Sequence, residues 1–269
     1  MSPAGVPVTL GAPIPVRHRR SVRSLTAGQV ADLRTAVERV QGIRDDRGYQ
    51  AWAGVHGLPL PISCTHHNDL FLPWHRAYLY LFEKALQDRV PGVTLPWWDW
   101  TTHHAEGIPA AYSHPHTPGS GGANPLFDSP IQRSGRRDAS EDRTWREPGR
   151  DGALPTPAAM EQVLRNRDFF TFQSQLESLH DGVHVWVGGT MADISVAAYD
   201  PLFWAHHAMI DRAWALWQLR HPGGGPPASL LGRALAPFPL TVRDTLATTH
   251  LGYDYAVRTT AAQGPGHHG

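Results

Sequence analysis

Two groups of histidines lie far apart in this sequence. The first spans residues 56–75, a stretch that also contains Cys64, the one cysteine of the chain. The second consists of His180 and His184, one helical turn apart, and the doublet at 206–207. Imidazole binds copper, zinc, iron and nickel, and seventeen histidines beside one cysteine favour an imidazole-bound metal over a thiolate zinc site. We predict that each group binds one metal ion and that the two ions face each other in a single site.

Helical periodicity places three of these histidines among apolar residues. His56 ends a short helix. His75 follows Pro73, which suits the first position of a new helix. His207 lies in a helix that opens at Asp200-Pro201, an N-cap followed by a proline. The apolar residues on the same faces are Trp52 and Ala53 with His56, Leu79, Phe82 and Leu86 with His75, and Phe203, Ile210, Trp214 and Trp217 with His207.

The remaining signals complete a mainly α fold. Thr26 and Gln29 form a capping box at the start of the first helix. Another helix begins near Asp168 and carries the His180/His184 pair. Residues 57–72 and 101–157 are rich in proline and glycine and predict irregular loops, and the four histidines of the second loop are expected to be solvated. We expect an antiparallel four-helix bundle core with long irregular loops.

Composition restricts the partners of the chain. The formal net charge is zero, so there is no electrostatic reason to bind nucleic acid or an anionic membrane. No apolar run approaches the length of a membrane span, and residues 1–20 lack the continuous apolar core of a secretory signal. These features predict a cytoplasmic protein, with export by a partner protein left open.

Histidines on apolar faces require a physical explanation. A single one is usually a hydrogen-bonded core residue, but five or six imidazoles buried without partners would be costly in lost solvation, and metal ligation removes that cost. The His180/His184 spacing also occurs in zinc hydrolases, which need a glutamate after the first histidine, where this chain has Asp181. An all-imidazole shell favours copper, and a zinc hydrolase is the less favoured reading.

The motifs around the histidines resemble those of the type-3 copper proteins, a family of tyrosinases, catechol oxidases, o-aminophenol oxidases and molluscan hemocyanin domains. Residues 71–76 (Phe-Leu-Pro-Trp-His-Arg) are similar to the family's first copper site, and residues 95–100 (Leu-Pro-Trp-Trp-Asp-Trp) resemble the aromatic segment that follows it. Residues 180–189 and 200–212 resemble the start and the end of the second copper site.

The resemblance covers about residues 16–255 of a single tyrosinase-like catalytic domain, 1–269, and residues 256–269 are expected to be a disordered tail. Tyr253 and Tyr255 are similar to a tyrosine motif that ends the catalytic domain of longer relatives. The chain therefore resembles a short bacterial tyrosinase without a C-terminal shielding domain.

The resemblance implies two copper ions in a dinuclear site, with O2 as co-substrate. It identifies six ligands, three for each copper, and treats His67 and His206 as bystanders. The ligands are His56, His66 and His75 for the first copper, and His180, His184 and His207 for the second.

Further roles follow from the same resemblance. Arg76 and Asp211 are candidates to pair across the two metal-bearing helices and fix ligand orientation. Glu177 is the candidate carboxylate that orients a water. Asp181 stands where many tyrosinases have asparagine and many catechol oxidases an apolar residue, so phenol hydroxylation is retained as an expectation. Met209 is a candidate gate above the first copper.

Cys64 precedes His66 by two residues, as in the Cys-Thr-His sequence of fungal tyrosinases. There the sulfur is bonded to the ring of the histidine ligand. We expect the same thioether here, since a ligand held by a loop gains a fixed orientation from it. The alternative is a buried free cysteine that acts as a small apolar residue.

The expected function is that of a tyrosinase or polyphenol oxidase. It would hydroxylate monophenols to o-diphenols, oxidise these to o-quinones, and contribute to pigments such as melanin. The alternatives are an o-aminophenol oxidase of a secondary-metabolite pathway and a hemocyanin-like oxygen carrier. The expected partners are a small phenolic substrate and a candidate copper-delivery chaperone. The sequence leaves the oligomeric state open.

Overall fold

A computed structural model describes residues 16–59, 63–132 and 142–255 of the chain. The helices of this part are α1 (Ala27–Gln41), α2 (Tyr49–His56), α3 (Phe71–Gln87), α4 (Ala110–Ser113), α5 (Pro157–Leu164), α6 (Phe169–Val187) and α7 (Leu202–Arg220). The strands are β1 (Arg17–Arg19), β2 (Pro130–Ile131), β3 (Asp142–Arg143) and β4 (Tyr253–Tyr255), and several short 3-10 turns connect the elements. The prediction of a mainly helical fold is confirmed.

The predicted helix starts are confirmed at α1 and corrected at α3. The Thr26 hydroxyl oxygen accepts a hydrogen bond from the Gln29 backbone N–H, and Gln29 Oε1 accepts one from the Thr26 backbone N–H, as a capping box requires. The helix α3 begins at Phe71, two residues before Pro73, so the expectation that Pro73 opens the helix was wrong. Proline is tolerated there because the N–H groups of the first helical turn have no intrahelical acceptor.

Local interactions determine where α6 ends and where α7 begins. Gly188 ends α6 with φ +67, and a Cβ at this position would lie 2.5 Å from the Glu147 carbonyl oxygen, so a larger residue would clash there. The helix α7 begins at Leu202, one residue later than predicted. Pro201 therefore occupies the N-cap position predicted for Asp200, and the Asp200 carboxylate, one residue earlier, accepts a hydrogen bond from the Leu202 backbone N–H at 2.8 Å.

The core lies between α3 and α7. Every residue of α3 from Phe71 to Leu79 and every residue of α7 from Leu202 to Asp211 is buried. Phe82 of α3 and Trp204 of α7 stack with ring centroids 3.6 Å apart. The helices α2, α3, α6 and α7 each carry at least one of the predicted ligands, so the rigid elements of the core position the site.

The two ends of the described chain meet in a parallel pair of strands. Arg17 of β1 lies opposite Tyr253 of β4, and Arg19 lies opposite Tyr255. This pairing places the tyrosine motif next to α7, where the hydroxyl groups of Tyr253 and Tyr255 donate hydrogen bonds to Asp211. The tail at residues 256–269, expected to be disordered, lies outside the described residues.

The described residues between 101 and 157 are mostly irregular, as predicted, apart from α4 and the strands β2 and β3, but part of this segment is packed against the core. Its buried side chains include Tyr112, Leu126 and Leu154. Arg146 reaches Asp200 with its Nη2 atom 2.6 Å from Oδ1, and both side chains are buried. Part of this loop therefore belongs to the core. Its histidines lie away from the site: His114 and His116 are exposed and His103 and His104 are half-buried.

None of the helices in the described part of the chain has the length and apolar character needed to span a membrane.

Candidate dinuclear metal centre

The end of α2 fixes His56. Its Nδ1 atom lies 3.2 Å from the carbonyl oxygen of Ile194, which suits an N–H donor at this nitrogen. A Cβ on the next residue, Gly57, would come within 2.1 Å of the Ser195 oxygen, so only glycine allows this close approach. The Nε2 atom of His56 is buried and has no hydrogen-bond partner among the described residues.

His75 and His66 lie beside His56. In α3, the Nδ1 atom of His75 lies 2.8 Å from the Phe71 carbonyl oxygen, and its buried Nε2 atom has no partner in the described parts of the chain. His66 belongs to the irregular segment before α3, and its ring centroid lies 5.4 Å from that of His56 and 5.0 Å from that of His75. The three rings thus form one group at the end of α2 and the start of α3.

The second group comes from α6 and α7. The Nδ1 atom of His184 lies 2.8 Å from the Met191 carbonyl oxygen, and that of His180 lies 2.9 Å from the Asp181 carboxylate. The Nε2 atom of His207 lies 3.1 Å from His180 Nε2 and 3.3 Å from His184 Nε2. Three ring nitrogens on two helices therefore converge on one point.

This convergence fits a cation. When Nδ1 carries the proton in a neutral imidazole, Nε2 is an acceptor. His180 and His184 both present Nε2 as acceptors, and a proton on His207 Nε2 satisfies only one of them at a time. A metal ion accepts the lone pairs of all three Nε2 atoms. A metal ion would likewise provide a partner for the Nε2 atoms of His56 and His75, which have none among the described residues.

The surroundings keep these imidazoles neutral. Burial, followed by the proximity of the other histidines, lowers the pKa of His56, His75, His180 and His207 well below the ordinary value. Burial also lowers the pKa of His66 and of His184 to about 4. Neutral imidazole is the form that binds metal, so the site is ready for ligation at neutral pH.

The two groups face each other. The rings of His75 and His207 have centroids 4.6 Å apart with 23° between their planes, and those of His66 and His180 have centroids 5.6 Å apart. The six predicted ligands thus come together in one place as two sets of three. An all-nitrogen set of this kind suits copper.

His206 is one of the two histidines that the sequence interpretation set aside as ligands. It is fully buried, and its ring nitrogens have no hydrogen-bond partner in the described residues. Together with His180, His184 and His207 it forms a cluster whose potential ligand atoms lie within 4.8 Å of one another. Burial does not distinguish it from His207, because α7 is buried on all sides at this point. The close Nε2 contacts with His180 and His184 are made by His207.

Two carboxylates adjoin the site. Glu177, one turn before His180, accepts a hydrogen bond from the His67 backbone N–H at 2.7 Å, and burial raises its pKa to about 7. Asp181 is half-buried and lies between His180 and His67, whose Nε2 atom is 3.7 Å from Asp181 Oδ2. His67 has φ +53, a left-handed conformation that is uncommon outside glycine. This conformation brings a residue expected to be a bystander to the edge of the site.

Cys64 lies within the first group. Its Sγ atom and the nearest ring nitrogens of His56 and His66 lie within 4.8 Å of one another. The thiol is half-buried, and burial raises its pKa to about 12. The sulfur is thus near the His66 ring, as the expected thioether requires.

A cavity of about 190 Å³ opens onto the histidines from the surface. It is lined by His56, His66, His67, His180, Asp181, His184, Val185, Met191, Ala192, Ile194 and Ala197. Met209, the expected gate, is not among the lining residues and is buried in α7. Two residues along a helix correspond to a rotation of about 200°, so Met209 points away from the side of α7 that carries His207. Met191 is the methionine at the cavity.

A buried network of ionic contacts connects the helices that carry the ligands. Arg76 Nε lies 2.5 Å from Asp211 Oδ1, which joins α3 to α7 as expected from the sequence. The sequence interpretation missed Arg19, which lies between Glu83, at 2.9 Å, and Asp211, at 3.1 Å. The hydroxyl groups of Tyr253 and Tyr255 both donate to Asp211 Oδ2. The sequence around Arg19 does not indicate that this residue is buried, because its carboxylate partners are distant in sequence.

Comparison with known proteins assigns the fold and the site to a family. The family model described as the common central domain of tyrosinase matches residues 46–220. This range includes all six predicted ligands. The chain therefore belongs to the tyrosinase family of type-3 copper proteins, whose members hold a dinuclear copper site, and the histidine cluster fits this cofactor.

Its relatives include both hemocyanins and bacterial tyrosinases. The chain is 32% identical over 231 residues to hemocyanin units G and H of Sepia officinalis, which covers 78% of this chain and 39% of that protein. It is 37% identical over 184 residues to a tyrosinase of Streptomyces glaucescens, which covers 60% of this chain and 66% of that protein. A functional unit of octopus hemocyanin superposes with a TM-score of 0.78 at 29% identity, over 90% of this chain and 68% of that one. The chain thus spans about two fifths of the Sepia relative.

Proposed function

We propose that this chain is a phenol oxidase that uses O2 to hydroxylate monophenols to o-diphenols and to oxidise o-diphenols to o-quinones. The observation that carries the proposal is the cavity, which gives an external molecule access to both groups of histidines. An oxygen carrier needs access for O2 alone, whereas an oxidase needs room for an aromatic ring beside the metals.

The dimensions and lining of the cavity suit such a ring. A cavity of roughly 150 Å³ accommodates benzene when its walls are apolar, and this one has about 190 Å³. Val185, Met191, Ile194 and Ala197 contribute apolar lining, and the imidazoles of His56 and His184 line the same cavity. A phenol that enters with its hydroxyl group foremost therefore brings this group to the ligand imidazoles.

We assign three histidines to each copper: His56, His66 and His75 to one, and His180, His184 and His207 to the other. Bound copper would supply the redox chemistry with O2. The protein holds the neutral imidazoles in place through the Nδ1 contacts to Ile194, Phe71, Asp181 and Met191. Such contacts fix the ring orientation and leave Nε2 free for the metal.

Glu177 and Asp181 are assigned to the handling of the phenolic proton. A monophenol must lose its proton before the oxygen can bind a metal productively. A carboxylate with a pKa of about 7, such as Glu177, is suited to accept a proton at neutral pH through an ordered water. Asp181 lines the cavity and is suited to orient that water.

The similarity to hemocyanins favours a second candidate, a reversible oxygen carrier. The two functions share the ligand set and differ in turnover. An o-aminophenol oxidase is a third candidate that differs in substrate only.

The deciding experiment measures O2 consumption and product formation by protein that holds two copper ions per chain. A monophenol, the corresponding o-diphenol and an o-aminophenol are supplied separately. Quinone formation from the first two supports the proposal. Reversible O2 binding without consumption of any of the three would identify a carrier, and turnover of the o-aminophenol alone would identify the third candidate.

A further inference from the structure

A carboxylate lies among the residues that line the cavity. Of the described residues that line it, none is lysine or arginine, and apart from the histidines the one ionisable group is Asp181. The other lining side chains are apolar. A substrate tail that reaches out of the cavity therefore meets a carboxylate and hydrocarbon before it meets bulk water.

Asp181 has one oxygen available to a ligand. Its Oδ1 atom contacts His180 Nδ1 at 2.9 Å, whereas its Oδ2 atom lies 3.7 Å from His67 Nε2, which is beyond hydrogen-bond distance but within ion-pair distance when His67 is protonated. The Asp181 side chain is 39% exposed, so an incoming donor can reach Oδ2 without displacing any core group.

A second carboxylate, that of Asp193, lies close in the chain to the cavity lining. Asp193 is exposed and lies in the chain between Ala192 and Ile194, both of which line the cavity. Its Oδ1 atom accepts hydrogen bonds from the Ser195 backbone N–H, at 2.9 Å, and from the Ser195 hydroxyl, at 2.6 Å. These hydrogen bonds fix the position of the Asp193 carboxylate.

The apolar part of the rim suits a short hydrocarbon linker. Val185 is 72% exposed and Ile194 is 45% exposed, although both contribute to the cavity wall. Exposed apolar side chains next to a binding cavity commonly mark the path of a ligand. A linker between the ring and a polar group can cover them.

We infer that the substrates this site takes best are o-diphenols whose tail carries a cation, such as an aminoethyl group, and that Asp181 Oδ2, which is needed less for proton transfer when the substrate is an o-diphenol, is the acceptor for that cation. Substrates with a carboxylate tail are disfavoured, because their charge meets that of Asp181 at the cavity and approaches that of Asp193, which adjoins two lining residues. This inference rests on the proposed phenol oxidase function and names its substrate class.

The test compares three catechols that differ in tail charge: 4-(2-aminoethyl)catechol, 4-methylcatechol and 3-(3,4-dihydroxyphenyl)propionate. At low salt the copper-loaded protein should oxidise the amine with a kcat/KM about tenfold above that of the carboxylate, and the methyl compound should be intermediate. The ratio should fall to about threefold or less near 1 M salt, where the Debye length is about 3 Å.

Variants identify the groups responsible. Asp181→Asn should reduce the amine-to-carboxylate ratio severalfold, and Asp193→Asn should reduce it by a smaller factor. Glu38→Gln removes the same charge from an exposed position of α1, none of whose residues line the cavity, and should leave the ratio unchanged. The copper content of each variant is measured first. Asp193→Asn decides the test if Asp181→Asn does not hold copper.

The outcomes separate this inference from the proposed function. If 4-methylcatechol is oxidised and the charged catechols react equally well, or the carboxylate reacts better, the inference is wrong and the oxidase function stands. If no catechol is oxidised, the oxidase function is wrong. The inference is then decided by calorimetric binding of 2-phenylethylamine and 3-phenylpropionate, which cannot enter the reaction. Tighter binding of the amine supports it, and equal or weaker binding overturns it.

Discussion

The Nε2 atoms of His180 and His207 lie 3.1 Å apart, although the two residues belong to different helices. The His180 Nδ1 atom is already in contact with Asp181, so this Nε2 atom presents a lone pair to its neighbour. The His184 Nε2 atom approaches the same nitrogen of His207, at 3.3 Å. A bound cation stabilises this arrangement, and its removal leaves the acceptors facing one another.

The first prediction concerns copper content. The copper-loaded protein should hold two ions per chain, and His207→Ala should hold one, because the variant removes the nitrogen on which the second group converges. His206→Ala is the control, since His206 lacks these Nε2 contacts, and it should retain both. Metal analysis of the purified proteins decides this, with circular dichroism to verify folding. Loss of copper from His206→Ala alone would reverse the ligand assignment in the doublet.

How far the sequence predicts this site can be judged from individual residues. Helical periodicity places His75 and His207 in the core, and the structure agrees, because both helices bury the face on which these residues lie. Periodicity does not separate His207 from His206, since a helix that is buried on all sides has no unique apolar face. The expected gate, Met209, does not line the cavity for a related reason. It lies two residues after His207, and this spacing places its side chain on the far side of the helix. A motif match identifies the position of a residue in the sequence but not the direction of its side chain.

Other parts of the site depend on contacts that are distant in sequence. Arg19 and Asp211 are separated by 192 positions and meet through the pairing of β1 with β4. Short parallel strands of three residues have almost no periodic signal. The left-handed conformation of His67 is also invisible in the sequence, because histidine rarely adopts it. The tertiary environment determines both features.

The second prediction concerns the ionic network. Asp211→Asn should lower the free energy of unfolding by about 3–5 kcal/mol, because it leaves Arg19 and Arg76 buried without their shared counter-charge. Chemical denaturation of the copper-free protein measures this. Arg165→Ala is a matched control at an exposed pair with Glu161 and should cost less than about 1 kcal/mol. A loss for Asp211→Asn as small as that of the control would mean that the network contributes little.

The third prediction concerns metal removal and pH. In the copper-free protein the ligand histidines have a pKa below the ordinary value, chiefly because of burial. Below about pH 6.5 the unfolded chain therefore binds more protons than the folded chain, and stability decreases as the pH falls. The denaturation midpoint of the copper-free protein should drop between pH 7 and pH 5. The copper-loaded protein should lose stability at least as steeply, because its ligands are also unprotonated in the folded state and take up protons when unfolding releases the metal, but its midpoint should be higher at each pH. A copper-loaded midpoint no higher than that of the copper-free protein would argue against ligation by these histidines.

The fourth prediction concerns Glu177. Glu177→Gln should lower the rate with monophenols at least tenfold and the rate with o-diphenols much less, because o-diphenols are more acidic and need less help to lose a proton. In the parent protein the monophenol rate should decrease as the pH falls through about 7, where Glu177 becomes protonated. Asp181→Leu should affect the two activities in the same unequal way. If either variant reduced both activities by one common factor, the proton-handling role would be abandoned for that residue.

The last prediction concerns Cys64. Its Sγ atom lies in one cluster with the ring nitrogens of His56 and His66, and His66 is the one proposed ligand that no helix holds. A bond from the sulfur to a ring carbon of His66 removes one hydrogen from the thiol and one from the ring, and O2 is the oxidant that accepts both.

The intact mass after copper loading in air should fall short of the sequence mass by two hydrogen atoms, and thiol reagents should not label the denatured chain. Cys64→Ser should keep the full mass and serves as the control. Because the thiol is half-buried and its pKa is raised to about 12, slow labelling of the folded protein is not diagnostic, and the measurement must be made after denaturation. A full-mass chain with one reactive thiol after copper loading would refute the cross-link and leave the copper ligands as assigned.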